Sequence, residues 1–202
     1  MDTTKQKSQS TGRDFKPKDA VIAFSSFTLM CTGIILLLII YSVLTVKDFL
    51  TFDQPYHMLM NVGVASVILL VFGIILTYCI PSRYIDETNK GYQNYSLLSI
   101  TSFLAIGALF EELLFRGIIQ NVFFVFLDHK WMAIGITTLL FLSIHIQYFK
   151  KPIMFLNITL PSVVFGWIYF ETENILVPFL VHFILNIGMT LLFKYNLINL
   201  RK

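Results

Sequence analysis

The stretch Ala108–Ile119, ALFEELLFRGII, places two carboxylates and a guanidinium in a run of leucine and phenylalanine. The rest of that run has the composition of a membrane helix. Charged side chains are costly in the interior of a bilayer, and those that occur there face the inside of a helical bundle and mark functional sites. Glu111, Glu112 and Arg116 are therefore the side chains from which the fold and the function are inferred.

The composition of the whole chain indicates a membrane protein. Of its 202 residues, 56% are hydrophobic and only 13% are charged, and the mean hydropathy is +0.73. A soluble domain carries about 25% charged residues. The net charge of +3 comes from basic residues in the tail and the loops, which argues against nucleic acid as a partner. Cys31 and Cys79 lie in apolar runs and are interpreted as reduced core residues.

Six apolar runs are candidates for membrane spans, because a bilayer core of ~30 Å needs about 20 residues of helix. These runs are Val21–Val46, His57–Ile80, Leu97–Leu127, Trp131–Gln147, Ile153–Phe170 and Asn174–Tyr195. Short polar turns separate them, and there is no internal repeat. The sequence predicts an all-α, polytopic transmembrane bundle of about six spans with a polar active site in its interior. Residues 1–19 are expected to form a disordered cytoplasmic tail, and residues 20–202 the transmembrane domain.

The distribution of basic residues predicts the orientation, since cytoplasmic loops carry an excess of lysine and arginine. With the N-terminus inside, the outer loops hold only Lys47 and Lys130. The inner segments hold Lys5, Lys7, Arg13, Lys16, Lys18, Arg83, Lys90, Lys150, Lys151, Lys194, Arg201 and Lys202. Both termini are therefore predicted to be cytoplasmic.

Helical spacing separates the two adjacent glutamates. Glu112 and Arg116 are four residues apart, so they share a face and can form an ion pair. Glu111 is turned about 100° from Glu112 and is free to face something else. One carboxylate thus balances the arginine, and the other is left as a candidate general base.

Two further groups of polar residues lie in predicted spans. His182 and Asn186 are four residues apart on one face of the last span, and His145 lies near the inner end of the fourth. At about 1.5 Å per residue, His145 is roughly 9 Å and Asn186 roughly 12 Å from the cytoplasmic boundary. The third run would be about 45 Å long as one helix, so Glu111 reaches a similar depth if the excess protrudes inward. Gly117 could instead kink or break that helix.

Three motifs in order resemble those of the CPBP family, the CAAX protease and bacteriocin-processing group of intramembrane proteases, also called the Abi family. They are Glu111-Glu112-x-x-x-Arg116-Gly117, Phe141-x-x-x-His145 and His182-x-x-x-Asn186. Gly166, Tyr169, Thr172, Asn174 and Pro178 add to the resemblance around the third motif. The resemblance covers a family core of about residues 97–192.

The resemblance implies an endopeptidase that hydrolyses a peptide bond of a membrane-associated peptide or protein near the cytoplasmic leaflet. Four catalytic residues are implied, which are Glu111, His145, His182 and Asn186. The first two would activate a water molecule, as general base and orienting partner, and the last two would hold the oxyanion. Glu112 and Arg116 would be the structural ion pair that shapes the site.

The cofactor stays open between none and zinc. Family members are described both as metalloproteases and as metal-independent glutamate proteases. Glu111, His145 and His182 could ligate zinc and leave a position for water. Because the motif HExxH is absent, a metal-independent site is favoured.

The compact form resembles bacterial members of the family, since eukaryotic members that trim prenylated ends have eight spans. Processing of a prenylated substrate is therefore in doubt, and a bacterial plasma membrane is the expected location. The bacterial associations include bacteriocin immunity and the maturation of peptides. The alternative is a non-catalytic immunity or regulatory protein that binds a partner membrane protein. A small transporter fits less well, because broken helices in paired halves are lacking.

Overall fold

The computed structural model describes residues 17–79, 95–145 and 153–198. These parts of the chain form helices and turns without a β-strand. In chain order the helices are α1 (Pro17–Ile40), α2 (Val46–Phe49), α3 (Pro55–Cys79), α4 (Leu97–Leu127), α5 (Lys130–Ile144), α6 (Ile153–Thr172) and α7 (Leu176–Lys194). The predicted all-α helical bundle is confirmed.

Five of these helices, namely α1, α3, α4, α6 and α7, are long and apolar enough to cross a membrane. Helix α5 is apolar but has only 15 residues. At about 1.5 Å per residue it is roughly 22 Å long, shorter than a bilayer core of ~30 Å. The prediction of about six spans is therefore confirmed approximately, with the fourth span short.

The first span differs from its predicted bounds at both ends. Helix α1 begins at Pro17, a residue that suits a first helical turn because it lacks an N–H group. Three residues assigned to the tail, Pro17–Asp19, are thus helical, and residues 1–16 lie outside the described parts. Helix α1 ends at Ile40, six residues before the predicted end at Val46.

The chain leaves α1 early because polar residues start a new helix. Ser42 has a left-handed backbone conformation, with φ of 57°. The Thr45 hydroxyl accepts a hydrogen bond from the Asp48 N–H, and the Asp48 carboxylate accepts one from the Thr45 N–H. Such a capping box stabilises a helix start, so Val46 belongs to α2 and not to α1.

Helix α4 is continuous, but its middle is not α-helical. Leu97–Glu112 and Asn121–Leu127 are α-helix, and Leu113–Gln120 between them is π-helix. A π-helix bonds each residue to one five positions away and occurs often at functional sites. Gly117 therefore lies in a widened turn and does not break the helix. A Cβ atom there would lie 3.0 Å from carbon atoms of Ile35 and Phe49, so glycine permits the close approach of α1 and α2.

Several of the other helices pack around α4 and its widened turn. Helix α1 packs along α4, α5 packs on α6, and α7 contacts α3, α4 and α6. The π-helical segment itself contacts α1, α5 and α6. A core cluster joins α3, α6 and α7, and its buried members are Ala65, Leu69, Phe165, Ile168, Val177 and Val181. The charged residues of α4 consequently face the inside of the bundle. This position avoids the free-energy cost of exposing them to lipid.

The connection between α1 and α3 is fastened to the corner between α6 and α7. The Thr51 N–H donates to the Glu173 carbonyl and the Ile175 N–H to the Phe49 carbonyl, both at 3.0 Å. The amide of Asn174 donates to the Thr51 carbonyl. These bonds close the end of the bundle at which α6 ends.

The two cysteines lie in different environments. Cys31 is fully buried in α1, as expected for a core residue. Cys79 is exposed at the last position of α3, so its assignment to the core was wrong. An apolar run indicates a helix, but it does not indicate which face of that helix is covered.

Candidate active site

Glu112 lies at the centre of a buried polar cluster. Its side chain has no exposed surface, and its Oε1 atom lies 3.3 Å from Arg116 Nη1 and 2.7 Å from His182 Nδ1. The first contact is the ion pair between neighbouring turns of α4. The second joins α4 to α7 across 70 residues of sequence. Glu112 therefore has two charged or polar partners, one more than the sequence suggested.

Arg116 extends the cluster to α5 and α6. Its Nη2 atom donates to both the carbonyl and the hydroxyl oxygen of Ser162, at 2.8 and 2.9 Å, and that hydroxyl donates to Thr138 Oγ1 at 3.3 Å. The guanidinium carbon lies 5.7 Å from the ring centre of Phe141 and 5.4 Å from that of Phe165. A desolvated cation between aromatic faces is held by cation–π attraction as well as by its hydrogen bonds. Ring contacts and hydrogen bonds together fix the buried arginine.

His182 stands between the two glutamates. Its ring stacks on Phe165 with a centroid distance of 4.9 Å and an interplanar angle of 23°. Nδ1 meets Glu112, while Nε2 lies 3.7 Å from Glu111 Oε2. That distance is too long for a direct hydrogen bond. The carboxylate and the imidazole nevertheless face each other.

Glu111 differs from its neighbour in exposure. Its side chain is 24% exposed, against none for Glu112. The helical angle between adjacent residues explains the difference, because it turns one carboxylate into the core and leaves the other at the edge of the cluster. A carboxylate reachable from outside and adjacent to a fixed imidazole has the features of a general base.

His145 lies at the C-terminal end of α5. Its Nδ1 atom lies 2.7 Å from the Phe141 carbonyl oxygen, and its ring lies 4.4 Å from the ring of Phe141. Phe141 in turn contacts the guanidinium of Arg116. Each of the two histidines thus packs on a phenylalanine that also contacts the buried arginine, Phe141 for His145 and Phe165 for His182.

Asn186 lies one turn after His182 on α7 and is half-buried. Among the described residues, none forms a hydrogen bond with its side chain. The amide is consequently available to a ligand, and it projects from the same face of α7 as His182.

Several polar residues of this cluster were missed by the sequence analysis. Gln120 is fully buried and donates from Nε2 to the Gly166 carbonyl at 3.0 Å. Asn121 donates to the hydroxyl oxygen of Tyr169 at 2.7 Å, and that hydroxyl donates to the Asp48 carbonyl at 2.9 Å. A usable signal was present, since Glu112, Arg116 and Gln120 follow one another at intervals of four in an apolar run.

The described residues do not fit a zinc site with three protein ligands. Across residues 17–79, 95–145 and 153–198, no three side chains of histidine, cysteine, aspartate or glutamate are grouped so that they could hold a metal ion. A catalytic zinc takes three protein ligands and a water. Glu111 and His182 are neighbours, but together with His145 they do not form such a group.

The sequence of the region that builds this cluster matches a known family. Residues 93–188 match the family described as type II CAAX prenyl endopeptidase, Rce1-like. Residues 93–188 belong to the CPBP family. The matched region runs from just before α4 to just past Asn186, so it contains every residue of the candidate site. The resemblance inferred from the three motifs is therefore confirmed.

A curated relative is similar to a longer part of the chain, but its description names no activity. The uncharacterized protein YpbD of Bacillus subtilis (strain 168) is 28% identical over 129 residues, which are 62% of this chain and 63% of the relative. The match thus spans less than two thirds of that relative. No solved structure matches the chain. Five apolar helices together with a CPBP region indicate an integral membrane protein.

Proposed function

We propose that this protein is an intramembrane endopeptidase that cleaves a membrane-associated peptide or protein near the cytoplasmic leaflet. One observation carries the proposal: partly exposed Glu111 faces His182, and His182 is fixed from behind by the buried pair of Glu112 and Arg116. A carboxylate and an imidazole held in one site by a buried counter-charge can activate water for the hydrolysis of an amide.

The proposed reaction uses water as the nucleophile. Glu111 accepts a proton from the water as its oxygen bonds to the scissile carbonyl carbon. Asn186, whose amide has no partner among the described residues, donates to the oxyanion that forms. One such donor contributes roughly 10²–10³ in rate. The intermediate then collapses, the carbon–nitrogen bond breaks, and the leaving nitrogen takes up the proton.

His145 belongs to the proposed site as a second imidazole. Its position at the C-terminal end of α5 and its contact with Phe141 set it next to the ring that covers Arg116. We assign it the role that the family resemblance implies, which is to orient the attacking water with Glu111. The mechanism is proposed without a metal, because the donors described do not make up a three-ligand site.

The test compares the purified enzyme with two variants in proteoliposomes. Two fluorogenic probes share one cleavable sequence: one is anchored by a farnesylated CAAX end and the other by an apolar helix. Glu111→Gln should lower the cleavage rate of whichever probe the wild-type enzyme cleaves, by about 10²–10⁴. Glu171→Gln makes the same change at an exposed position of α6 and should leave the rate within about twofold. Cleavage by Glu111→Gln at the normal rate would contradict the proposal.

The same preparations test the metal. Activity should survive chelation, and elemental analysis of the active protein should find no stoichiometric zinc. Loss of activity on chelation with recovery on addition of zinc would overturn the metal-free mechanism.

The biological setting proposed from the family is bacteriocin immunity or the maturation of a peptide. A cellular assay separates catalysis from the alternative of a non-catalytic binding protein. In cells exposed to a bacteriocin, the protein with Glu111→Gln at normal abundance should lose protection if hydrolysis is required. Full protection by that variant would favour the binding protein.

A further inference from the structure

We propose that His182 carries the proton from Glu111 to the leaving nitrogen, in place of the oxyanion contact that the family resemblance implies. This inference rests on the proposed peptidase function and assigns a role within the same site. It follows from the hydrogen-bond pattern around the imidazole and from the position of its second nitrogen.

The partners of Glu112 determine which ring nitrogen carries the hydrogen. Glu112 Oε1 meets both Arg116 Nη1 and His182 Nδ1. An arginine guanidinium keeps its protons in proteins, so Glu112 is its ionised counter-charge and can only accept. Nδ1 of His182 must therefore be the protonated nitrogen; this hydrogen is assigned from the bond pattern, as is usual for histidine.

That assignment limits what the other nitrogen does. In the neutral ring Nε2 holds a lone pair and has no hydrogen to give. It cannot stabilise an oxyanion by donation, but it can accept a proton. Glu111 Oε2, the nearest carboxylate oxygen on that side, is 3.7 Å away.

The surroundings also favour the protonated ring once it forms. Imidazolium at this position would lie between two carboxylates, with Glu112 at 2.7 Å and Glu111 at 3.7 Å. The stacked ring of Phe165 holds the plane in which both nitrogens point at their partners. A carboxylate that fixes the tautomer and stabilises the imidazolium serves histidine in the same way in serine proteases.

The proton balance is then complete without another reactant. Water loses one proton to Glu111 while its oxygen bonds to the carbonyl carbon. That proton then moves to Nε2 of His182, once the 3.7 Å between the two groups has shortened to hydrogen-bond distance in the substrate complex. When the carbon–nitrogen bond breaks, Nε2 returns the proton to the leaving amine. The remaining proton of the attacking water leaves with the new carboxyl group, and the enzyme regains its starting state. Glu112 is a positioning residue in this scheme, and Asn186 is the side-chain donor that is present as the oxyanion forms, before the proton reaches His182.

The test compares two leaving groups, an amine and an alkoxide, that differ in how much they need a proton. A helix-anchored peptide probe and its depsipeptide, with an ester in place of the scissile amide, are compared in proteoliposomes. An alkoxide needs far less protonation on departure than an amine. His182→Gln keeps a hydrogen-bond donor but cannot carry a proton, so it should slow amide cleavage by about 10²–10⁴ and ester cleavage by less than about tenfold.

Two controls separate this inference from the proposed function. Asn186→Ala should slow both probes alike, by about 10²–10³, because both pass through an oxyanion. Glu111→Gln should slow both probes, since both need activated water; if it slows neither, the peptidase proposal fails. If Glu111→Gln slows both and His182→Gln slows both equally, the peptidase stands and the proton-carrier role of His182 is overturned.

A second measurement needs no substrate and leaves His182 itself unchanged. Nitrogen NMR of ¹⁵N-histidine-labelled protein in micelles distinguishes a protonated from an unprotonated ring nitrogen. The signals are assigned through His57→Gln, His129→Gln and His145→Gln. We expect the resting His182 to carry its hydrogen on Nδ1. A neutral ring with the hydrogen on Nε2 would overturn the inference.

Discussion

Arg116 joins α4 to α6 through Ser162, whose carbonyl and hydroxyl oxygens both accept hydrogen bonds from Nη2, at 2.8 and 2.9 Å. The residues are fully or almost fully buried. The same guanidinium pairs with Glu112, and Glu112 contacts His182 of α7, so Arg116 and Glu112 together fix the relative position of α4, α6 and α7. The ion pair is thus part of the packing of the bundle as well as of the candidate site.

Truncation of Arg116 should therefore destabilise the fold. Arg116→Ala leaves Glu112 as an uncompensated buried charge, which costs about 3–5 kcal/mol. Ser162→Ala keeps the carbonyl acceptor but removes the hydroxyl, which accepts from Arg116 and donates to Thr138, and should cost about 1–2 kcal/mol. The free energy of unfolding, measured by denaturant titration in mixed micelles, checks both values. Equal stabilities for the two variants would contradict the central role of the arginine.

The sequence predicted the contact within one helix by residue, but it predicted the contacts between helices only as a shared site. Glu112 and Arg116 are four residues apart, and helical geometry alone brings them together. The bond between Glu112 and His182 spans 70 residues and depends on how α7 packs on α4. Periodicity holds no information about that packing, so the motif order indicated one site without indicating which imidazole faces which carboxylate.

The helix boundaries also divide into those that the sequence predicts and those that depend on local caps or packing. Hydropathy located each apolar run, but the end of α1 depends on the polar caps at Ser42 and Thr45, which a count of apolar residues ignores. The π-helical turn at Leu113–Gln120 has no periodic signal, because its widened turn depends on tertiary contacts of α1, α5 and α6. An apolar run predicts a regular α-helix. The π-helical turn, which departs from that prediction, lies at the candidate site.

The close contact between Gly166 and Gln120 predicts a size limit on α6. A Cβ atom at Gly166 would lie 2.7 Å from Gln120 Oε1 and 3.2 Å from an Ile134 methyl carbon. Gly166→Ala should displace the buried amide from the Gly166 carbonyl and cost about 1–3 kcal/mol. Gly135→Ala is the matched control. Apart from its chain neighbours and the backbone of its own helix, no atom lies within 4 Å of its Cβ position, and alanine should be neutral or stabilising by up to about 1 kcal/mol. Thermal unfolding in detergent checks both, and similar effects at the two glycines would contradict the contact.

The predicted orientation can be tested from the two exposed ends of the bundle. Asp53 lies in the connection before α3, and Leu197 follows α7; both are exposed. In a Cys79→Ser background, where the remaining Cys31 is fully buried, an impermeant thiol reagent should label Asp53→Cys on intact cells. Leu197→Cys should be labelled only after permeabilisation. The reverse pattern would contradict a cytoplasmic C-terminus.

Substitutions at the two adjacent glutamates should both affect activity, but only one should affect stability. Glu111 is 24% exposed and its recorded partner lies at 3.7 Å, so Glu111→Gln should change the free energy of unfolding by no more than about 0.5 kcal/mol. Glu112 is fully buried between a guanidinium and an imidazole, so Glu112→Gln leaves the arginine without its counter-charge and should cost about 3–5 kcal/mol. Both variants should lose hydrolysis, but only the second should also unfold more easily. Unfolding curves and cleavage rates measured on the same purified samples check the pair. If Glu111→Gln were the less stable protein, Glu111 would be a structural residue and the exposed carboxylate could no longer be assigned to the chemistry.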